Sequence, residues 1–107
     1  FGKQPNGLDQ DGPTMVSTQQ RSACHDGHAS VAQVGSYKPN AFGLFDTAGN
    51  VESWVADCWR GGASNACNIR PVRGSSWITA DLTSAHRSRA ASSEATSYRG
   101  FRLAREL

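Results

Sequence analysis

The stretch PNAFGLFDTAGNVESWVADCW, Pro39 to Trp59, is the densest part of this 107-residue sequence. It combines four aromatic residues and small residues that allow sharp turns with three acidic residues: Asp46, Glu52 and Asp57. Calcium binds carboxylate and amide side chains together with the backbone carbonyls of kinked loops, and Asp46, Gly49 and Asn50 could supply such groups. Alternatively, Asp46 or Asn50 caps a following helix, which is the interpretation that composition alone favours.

The second half of the stretch has the spacing of a short helix. Val51, Trp54, Val55 and Cys58 recur at positions i, i+3, i+4 and i+7, which is typical of one helical face. The turn TAGN before them suits a helix start, and the Gly61-Gly62 pair suits its end. The stretch therefore predicts a helix that begins after Asp46.

Outside this stretch the sequence predicts loops and short extended segments. Residues 1–30 are polar, punctuated by glycine and proline, and without periodicity, which indicates irregular loop. A β-branched run, VAQVGSY, comes next, and three C-terminal segments, RPVRGSSW, AHRSRAA and YRGFRLAREL, resemble strands. The sequence thus predicts an irregular, loop-rich α+β domain with short antiparallel strands and one or two short helices.

Composition and charge exclude several classes of protein. Eleven basic and nine acidic residues give a net charge of +2, which is too balanced to indicate nucleic-acid binding. No apolar run approaches the about 18 residues of a membrane helix, so no membrane insertion is expected. The start FGKQPNG lacks an initiator Met and a signal-peptide run, so we expect a piece of a longer protein. P-loop, dinucleotide and nucleophile-elbow spacings do not occur, and His86, in an expected strand, favours a structural role over a general base.

The three cysteines indicate an oxidising compartment. Cys58 and Cys67 flank the segment WRGGASNA, a spacing that can close a disulfide loop worth about 2–3 kcal/mol; two buried free thiols are the alternative. A disulfide predicts an extracytoplasmic chain, periplasmic or secreted. Cys24 remains as a free thiol or as a partner for a cysteine outside this sequence. Its neighbourhood, CHDGH, supplies too few ligands for zinc and favours a polar turn at Asp26-Gly27.

Five segments resemble, in order, the motifs of the formylglycine-generating enzyme family, also called sulfatase-modifying factors. They are PNAFGLFD, GNVESW, RPVRGSSW, SAHRSRAA and RGFRLAR. The family carries Pro-Asn-x-x-Gly-Leu-Tyr-Asp, Gly-Asn-Val-Trp-Glu-Trp, Arg-Gly-Gly-Ser-Trp, Arg-x-Ala-x-Arg and Gly-Phe-Arg. The resemblance implies that residues 1–107 form the C-terminal part of one such domain, with an irregular region at 1–30 and the motif-bearing core at 31–107. It also implies a fold related to C-type lectins.

The resemblance further implies how the catalytic residues differ. Catalytic members oxidise a sulfatase cysteine to formylglycine with two copper-binding cysteines, which correspond here to positions near Thr79 and Ser84. Copper(I) and thiol redox chemistry need soft sulfur ligands, and no cysteine follows Cys67. We therefore expect neither copper binding nor the oxidase activity.

Two calcium sites are implied by the same resemblance. The family holds one ion by an Asp or Asn side chain, two backbone carbonyls and a glutamate. The corresponding residues here are Asp46, Gly49, Val51 and Ser53. Serine in place of the glutamate removes an anionic ligand and is expected to weaken binding. A second site uses an Asp-Gly-x turn, which matches Asp26 and the carbonyl of His28.

The resemblance also assigns structural residues. Bacterial relatives often carry a cysteine pair at the positions of Cys58 and Cys67, which supports the disulfide. Four aromatic residues are expected in the core: Trp54, Trp59, Trp77 and Phe101. Four arginines are expected to pair with buried acids or carbonyls: Arg73, Arg87, Arg89 and Arg102.

Non-catalytic members of the family use the scaffold for recognition, as sensor, accessory or variable binding domains. The hypothesis for this chain is therefore a binding module for a protein or small-molecule ligand. Its expected ligand-binding residues lie between the last motifs: Ile78, Thr79, Asp81, Thr83, Ser84, His86, Ser88 and Tyr98. The alternative is an oxidoreductase of the same family acting on a protein or small thiol substrate. Its catalytic groups would lie in an N-terminal half or in a second chain that completes the domain. A fragment without a separate role is the third possibility.

Overall fold

A computed structural model describes residues 6–7, 11, 25–60, 67–79 and 81–106. Within this part the regular structure is one four-stranded sheet. Its strands are β1 (Glu52–Trp54), β2 (Ile69–Arg73), β3 (Arg87–Ala91) and β4 (Arg99–Gly100). Their order across the sheet is β3-β2-β1-β4, so β3 and β4 lie at the edges.

The sheet is mixed, so the prediction of antiparallel strands is confirmed for two of its three strand pairs and is wrong for the third. β2 pairs with β3 and with β1 in antiparallel directions, whereas β1 and β4 run parallel. The segments around residues 70 and 87 were correctly predicted as strands, from their short runs of interleaved apolar and basic residues. The segment YRGFRLAREL forms a strand only at Arg99–Gly100, and residues 101–106 have no ladder partner among the described residues.

The predicted helix after Asp46 is also wrong, since no described residue is helical. Asp46 and Asn50 have φ angles of 52° and 62°, in the left-handed region, so this turn cannot lead directly into a right-handed helix. Trp54 then pairs with Val72 across the β1–β2 ladder. The ladder and the buried face of the sheet outweigh a weak local helical spacing. The pair Gly61-Gly62, expected to end the helix, lies outside the described residues.

The inner face of the sheet packs a small core around an ion pair. Val72 is completely buried and Ala90 nearly so. Beside them, Arg99 Nε donates to Glu52 Oε1 at 2.7 Å, and both side chains are more than nine-tenths buried. The Arg99 guanidinium also lies over the rings of Trp54 and Tyr98. Removing one member of such a buried pair typically costs about 3–5 kcal/mol.

The loop before β1 is held by one amide rather than by strands. Asn50 Oδ1 accepts hydrogen bonds from the Ala32 N–H and from Asn6 Nδ2, and Asn50 Nδ2 donates to the Ala32 carbonyl. The run VAQVGSY, predicted as a strand, instead bends at Gly35, where φ is 73°. We call the hydrogen bonds of the Asn50 side chain the clamp. Gly49 is required beside it, because a Cβ there would collide with the Asn6 carbonyl.

A disulfide joins Cys58 to Cys67, which confirms the predicted pairing. It links the chain after β1 to a position two residues before β2, with Cα atoms 5.0 Å apart. Cys24 lies outside the described residues, as do most residues of the region 1–30. Among the described residues, no helix is long and apolar enough to cross a membrane.

Phe101 departs from its expected place in the core. It is 75% exposed, whereas the three tryptophans expected with it are half-buried. Other large apolar side chains outside the strands are also exposed: Val31, Val34, Phe42, Leu44, Phe45 and Leu103. The described residues therefore form an incomplete core with an open apolar face, defined here as Val34, Phe45, Phe101 and Leu103.

Candidate functional site

The loop between β2 and β3, residues 74–86, carries most of the predicted ligand-binding residues. The buried residues Ser75 and Ser76 lie at its start. Ser75 has a φ of 58°, and its Oγ donates to the Asp81 carbonyl at 2.6 Å. The Trp77 N–H donates to the Asn50 carbonyl at 2.9 Å. These contacts tie the base of the loop to the clamp at Asn50, so the sequence RGSSW fixes where the loop leaves the sheet.

Asp81 organises the outer part of this loop. Its Oδ1 accepts from the Thr83 N–H at 3.0 Å, and its Oδ2 lies 3.2 Å from Nδ1 of His86. The hydrogen bond from the Thr83 amide, followed by that of the Thr83 side chain and the contact with His86, lowers the pKa of the Asp81 carboxyl. The side chain of His86 remains partly exposed, so the pair presents one acid and one imidazole on the loop surface.

The resemblance to the family places its two cysteines near Thr79 and Ser84, which carry hydroxyl groups in this loop. Thr79 Oγ1 lies 3.1 Å from Ser76 Oγ, and the Thr79 N–H donates to the Ser76 carbonyl. Ser84 is exposed, and its carbonyl accepts a hydrogen bond from Arg73 Nη2 at 2.9 Å. Hard hydroxyl oxygens in such surroundings can bind a ligand by hydrogen bonds, but they do not supply soft ligands for copper(I).

The structure brings together only part of the predicted ligand-binding set. Six members lie on the 74–86 loop: Ile78, Thr79, Asp81, Thr83, Ser84 and His86. Ser88 lies on the inner face of β3, where its Oγ is 3.5 Å from Glu52 Oε2. Tyr98 is half-buried beside Arg99. Both therefore contact the core ion pair rather than the loop surface.

A second candidate site is a cleft of about 410 Å³ beside the open apolar face. Asp46, Val51 and Ser53, three residues of the predicted calcium site, line it together with Phe45 and Phe101. Asp46 Oδ2 accepts from the Gly35 N–H at 2.7 Å, whereas its buried Oδ1 has no hydrogen-bond partner among the described residues. Gly49, the fourth predicted residue, is buried next to Asn50 and does not line the cleft.

The other two predicted metal ligands, Asp26 and His28, are hydrogen-bonded to each other in a turn. Asp26 is buried, and its two carboxylate oxygens accept from the Gly7 N–H at 3.1 Å and the His28 N–H at 2.8 Å. The His28 ring lies edge-on to Tyr37. The part of the chain that the structure describes contains no cluster of three or more His, Cys, Asp or Glu side chains.

Sequence reasoning missed the position of the arginines on β3. Arg87 and Arg89 were expected to pair with buried acids or carbonyls, but both are exposed and lie over the Trp59 ring, at 4.5 and 5.5 Å. The period-two spacing RSR was the available signal, since it places both guanidinium groups on one face of the strand. Arg73 and Arg102 do contact carbonyls, those of Ser84 and Phe45.

Comparison with known proteins decides the family. The model of the sulfatase-modifying factor enzyme 1-like domain matches residues 3–107. The chain belongs to this family. Its sulfatase-modifying-factor motifs include PNAFGLFD, in the loop before β1, and RGSSW, at the base of the 74–86 loop.

The curated relatives include catalytic and inactive proteins. The formylglycine-generating enzyme of Streptomyces coelicolor is 53% identical over 36 residues, which are 34% of this chain and 12% of the relative. The inactive Cα-formylglycine-generating enzyme 2 of Bos taurus is 39% identical over 66 residues, covering 60% of this chain and 21% of the relative. The chain thus spans at most about a fifth of these relatives.

Solved structures show the same sulfatase-modifying-factor fold. PvdO from Pseudomonas aeruginosa has a TM-score of 0.65 and 32% identity, covering 94% of this chain and 44% of PvdO. Variable protein 1 of Treponema denticola has a TM-score of 0.59 and 28% identity, covering 68% of this chain and 31% of that protein. More than half of each neighbour therefore has no counterpart in this chain.

Proposed function

We propose that this chain is a non-catalytic sulfatase-modifying-factor module that recognises a protein or small-molecule ligand through the 74–86 loop. The observation that carries the proposal is the hydroxyl pair Thr79 and Ser84, which stands where the resemblance places two cysteines. Thr79 is hydrogen-bonded to Ser76, and neither residue offers the thiolate that copper redox chemistry needs. Similarity to an inactive enzyme 2 and to a variable protein also supports a non-catalytic module.

The loop has the properties of a preorganised binding surface. Its base is buried at Ser75 and Ser76, and Asp81 ties its outer part together through Thr83 and His86. A loop fixed in this way loses little conformational entropy when a ligand binds. Hydroxyl, carboxylate and imidazole groups offer both donors and acceptors, so the ligand would be polar.

The test is to select ligands on the intact chain and map them. Binders are taken from a random-peptide display library and a glycan array, and their affinities are measured with two variants, D81A/H86A and T83A/S84A. We expect the selected ligands to bind at least about tenfold more weakly to D81A/H86A, because each lost polar contact contributes roughly 1 kcal/mol. R105A is the control and should bind as the parent does. Undiminished binding after all four loop substitutions would contradict the proposal.

One observation favours an enzymatic alternative. The chain is 53% identical over 36 residues to a formylglycine-generating enzyme, and it spans only 12% of that protein. An oxidoreductase acting on a protein or small thiol would then take its catalytic groups from other parts of the domain. Oxygen uptake that depends on a thiol substrate, once such a part is supplied, would favour this alternative over recognition.

A calcium ion beside Asp46 is a second part of the proposal. Asp46 Oδ1 is buried without a partner among the described residues, and Val51 and Ser53 line the same cleft. We propose the Val51 carbonyl and the Ser53 hydroxyl as the other ligands. This donor set has one carboxylate, so the affinity should be low. Calorimetric titration should show weak calcium binding that is lost in D46N and kept in D57N. Equal binding by both variants would place any calcium elsewhere.

The disulfide supports an extracytoplasmic location, periplasmic or secreted, because such bonds persist in oxidising compartments. The open apolar face supports a polypeptide partner. Val34, Phe45 and Phe101 are exposed and line the cleft, and Leu103 is exposed two residues after Phe101. Monomeric proteins rarely expose large contiguous apolar surface. The proposed partner is the remaining part of a sulfatase-modifying-factor domain, whether in the same chain or in a second one.

A further inference from the structure

The edge strand β3 has backbone groups that the sheet does not use. In the β2–β3 ladder, Arg70 lies opposite Ala90 and Val72 opposite Ser88. The Ser92 N–H donates to the Asn68 carbonyl at 2.8 Å. Asn68 and Ser92, which lie next to the pair Ile69–Ala91 in the ladder, are therefore a hydrogen-bonded pair. Antiparallel pairs alternate between hydrogen-bonded and non-hydrogen-bonded types. The N–H and C=O groups of Ser88 and Ala90 therefore point towards β2.

By the same alternation, the backbone groups of Arg87 and Arg89 point away from β2, towards the open edge. Two further observations agree with this register. Pro71, opposite Arg89, has no N–H to donate to a hydrogen-bonded pair. The Pro71 carbonyl instead accepts from the Val55 N–H on the side of β1. The edge thus offers one N–H and one C=O at each of two alternate residues.

The side chains of the same two residues form a basic outer surface. Arg87 and Arg89 share one face of β3, and their guanidinium groups lie over the Trp59 ring. Neither forms an ion pair with a described residue. Arg73 is opposite Arg87 in the ladder, so its side chain lies on the same face. One described acid, Asp57, lines a hollow of about 340 Å³ together with Arg60 and Arg87.

We propose that β3 binds an extended acidic peptide segment, which adds to the sheet as a fifth strand. Its backbone would pair with the N–H and C=O groups of Arg87 and Arg89, which have no backbone partner among the described residues. Acidic side chains at alternate positions would face the two guanidinium groups. Side chains on one face of a strand repeat every about 6.8 Å, so carboxylates at positions j and j+2 match this spacing. The Trp59 ring holds both guanidinium groups in place before binding.

A peptide fits this edge better than other polyanions. A sulfated glycan or a nucleic acid would satisfy the charges, but neither carries an amide ladder for the open edge. Arginines on an edge strand also oppose pairing with basic or apolar strands, which disfavours pairing of this edge with the β3 edge of a second copy. The same residues that disfavour unspecific pairing therefore select an acidic partner.

The experiment measures fluorescence anisotropy of a labelled eight-residue peptide in which glutamate and threonine alternate, with the full chain. R87Q/R89Q and R87E/R89E should bind at least tenfold more weakly than the parent, and added salt should weaken binding by the parent. The control K38E/R105E changes charge at two exposed positions elsewhere and should bind within about threefold of the parent. A lysine–threonine peptide should bind R87E/R89E and not the parent. Urea unfolding of each variant verifies that the fold is kept.

Two further ligands distinguish strand addition from binding at an unspecific anion site. A peptide N-methylated at alternate amides keeps its charge but loses its backbone donors, and it should bind at least tenfold more weakly. A heparin oligosaccharide of equal charge should not displace the parent peptide. Undetectable binding of the peptide by the parent, or equal binding by R87Q/R89Q, overturns the proposal. Equal binding of the N-methylated peptide, or displacement by heparin, replaces it with an unspecific anion site.

This inference concerns a different surface from the 74–86 loop. D81A/H86A should bind the acidic peptide as the parent does, because neither side chain lies on the outer face of β3. Loss of loop-dependent recognition with intact peptide binding would contradict only the proposed function, and the reverse result would contradict only the edge-strand site.

Discussion

A single residue, Asn50, connects three segments that are distant in the sequence. Its side chain contacts the backbone of Ala32 and the side chain of Asn6, and its carbonyl accepts from the Trp77 N–H at the base of the 74–86 loop. The sequence suggested only a helix cap or a calcium ligand for it. A side chain that satisfies backbone groups 18 residues away leaves no local signal, because its partners are set by the fold.

Replacing Asn50 should destabilise the chain through these partners. N50G keeps the left-handed backbone but leaves the Ala32 N–H and C=O unpaired, so the free energy of unfolding should fall by about 2–3 kcal/mol. N50A should lose about 1–2 kcal/mol more, because a Cβ disfavours the positive φ. N68A, at an exposed asparagine, is the control and should change stability by less than about 0.5 kcal/mol. Urea unfolding measures all three, and an N50G variant as stable as the parent would contradict the clamp.

At the scale of elements, sequence patterns predicted β2 and β3 and failed at β1. In β3 the side chains alternate between the two faces, since Arg87 and Arg89 are exposed whereas Ser88 and Ala90 are shielded. β2 departs from this alternation at Pro71 and Val72, which are both buried. β1 was mistaken for a helix because Trp54 and Cys58 happen to repeat with helical spacing. Its strand conformation depends on two distant pairings. Trp54 pairs with Val72, 18 residues later in the chain, and Glu52 pairs with Arg99, 47 residues later. Of the candidate ligand-binding residues, those on one continuous loop stay together, whereas Ser88 and Tyr98 depend on the orientation of their strands.

The 74–86 loop should loosen in acid. The pKa of Asp81 lies below its ordinary value of 3.8, mainly because the Thr83 amide donates to the ionised carboxylate. A depressed pKa means that the carboxylate stabilises the loop at neutral pH, and that this contribution is lost as the pH falls through the lowered pKa. NMR should show the Thr83 amide shift titrating with a midpoint below 3.8. In D81N this titration should be absent, and a midpoint at or above the ordinary value would contradict the hydrogen bond.

At the scale of the whole molecule, the described residues bury more polar than apolar side chains. The buried apolar set among them contains five residues, Ala32, Tyr37, Pro71, Val72 and Ala90, whereas Phe42, Phe101 and Leu103 are more than 70% exposed. The chain covers 44% of PvdO and 31% of variable protein 1. We infer that part of the core is shared with polypeptide outside the described residues, which explains why a strand predicted over 98–107 pairs only at Arg99–Gly100.

The open apolar face should make the isolated chain self-associate. F101S/L103S should lower the weight-average mass in sedimentation equilibrium, since it removes exposed apolar surface, and should change the free energy of unfolding by less than about 0.5 kcal/mol. I69S, at an exposed apolar residue of β2 that does not line the cleft, is the control and should leave the mass unchanged. A parent chain that stays monomeric at high concentration would argue against this face as a contact surface.

Copper(I) binding by the intact chain tests the central claim most directly. We assign the 74–86 loop to recognition because Thr79 and Ser84 supply hydroxyls instead of thiolates. Titration under reducing conditions, with a competing chelator, should show no stoichiometric copper. Stoichiometric copper that is lost in T79A/S84A, accompanied by oxygen uptake with a cysteine-containing peptide, would contradict the account.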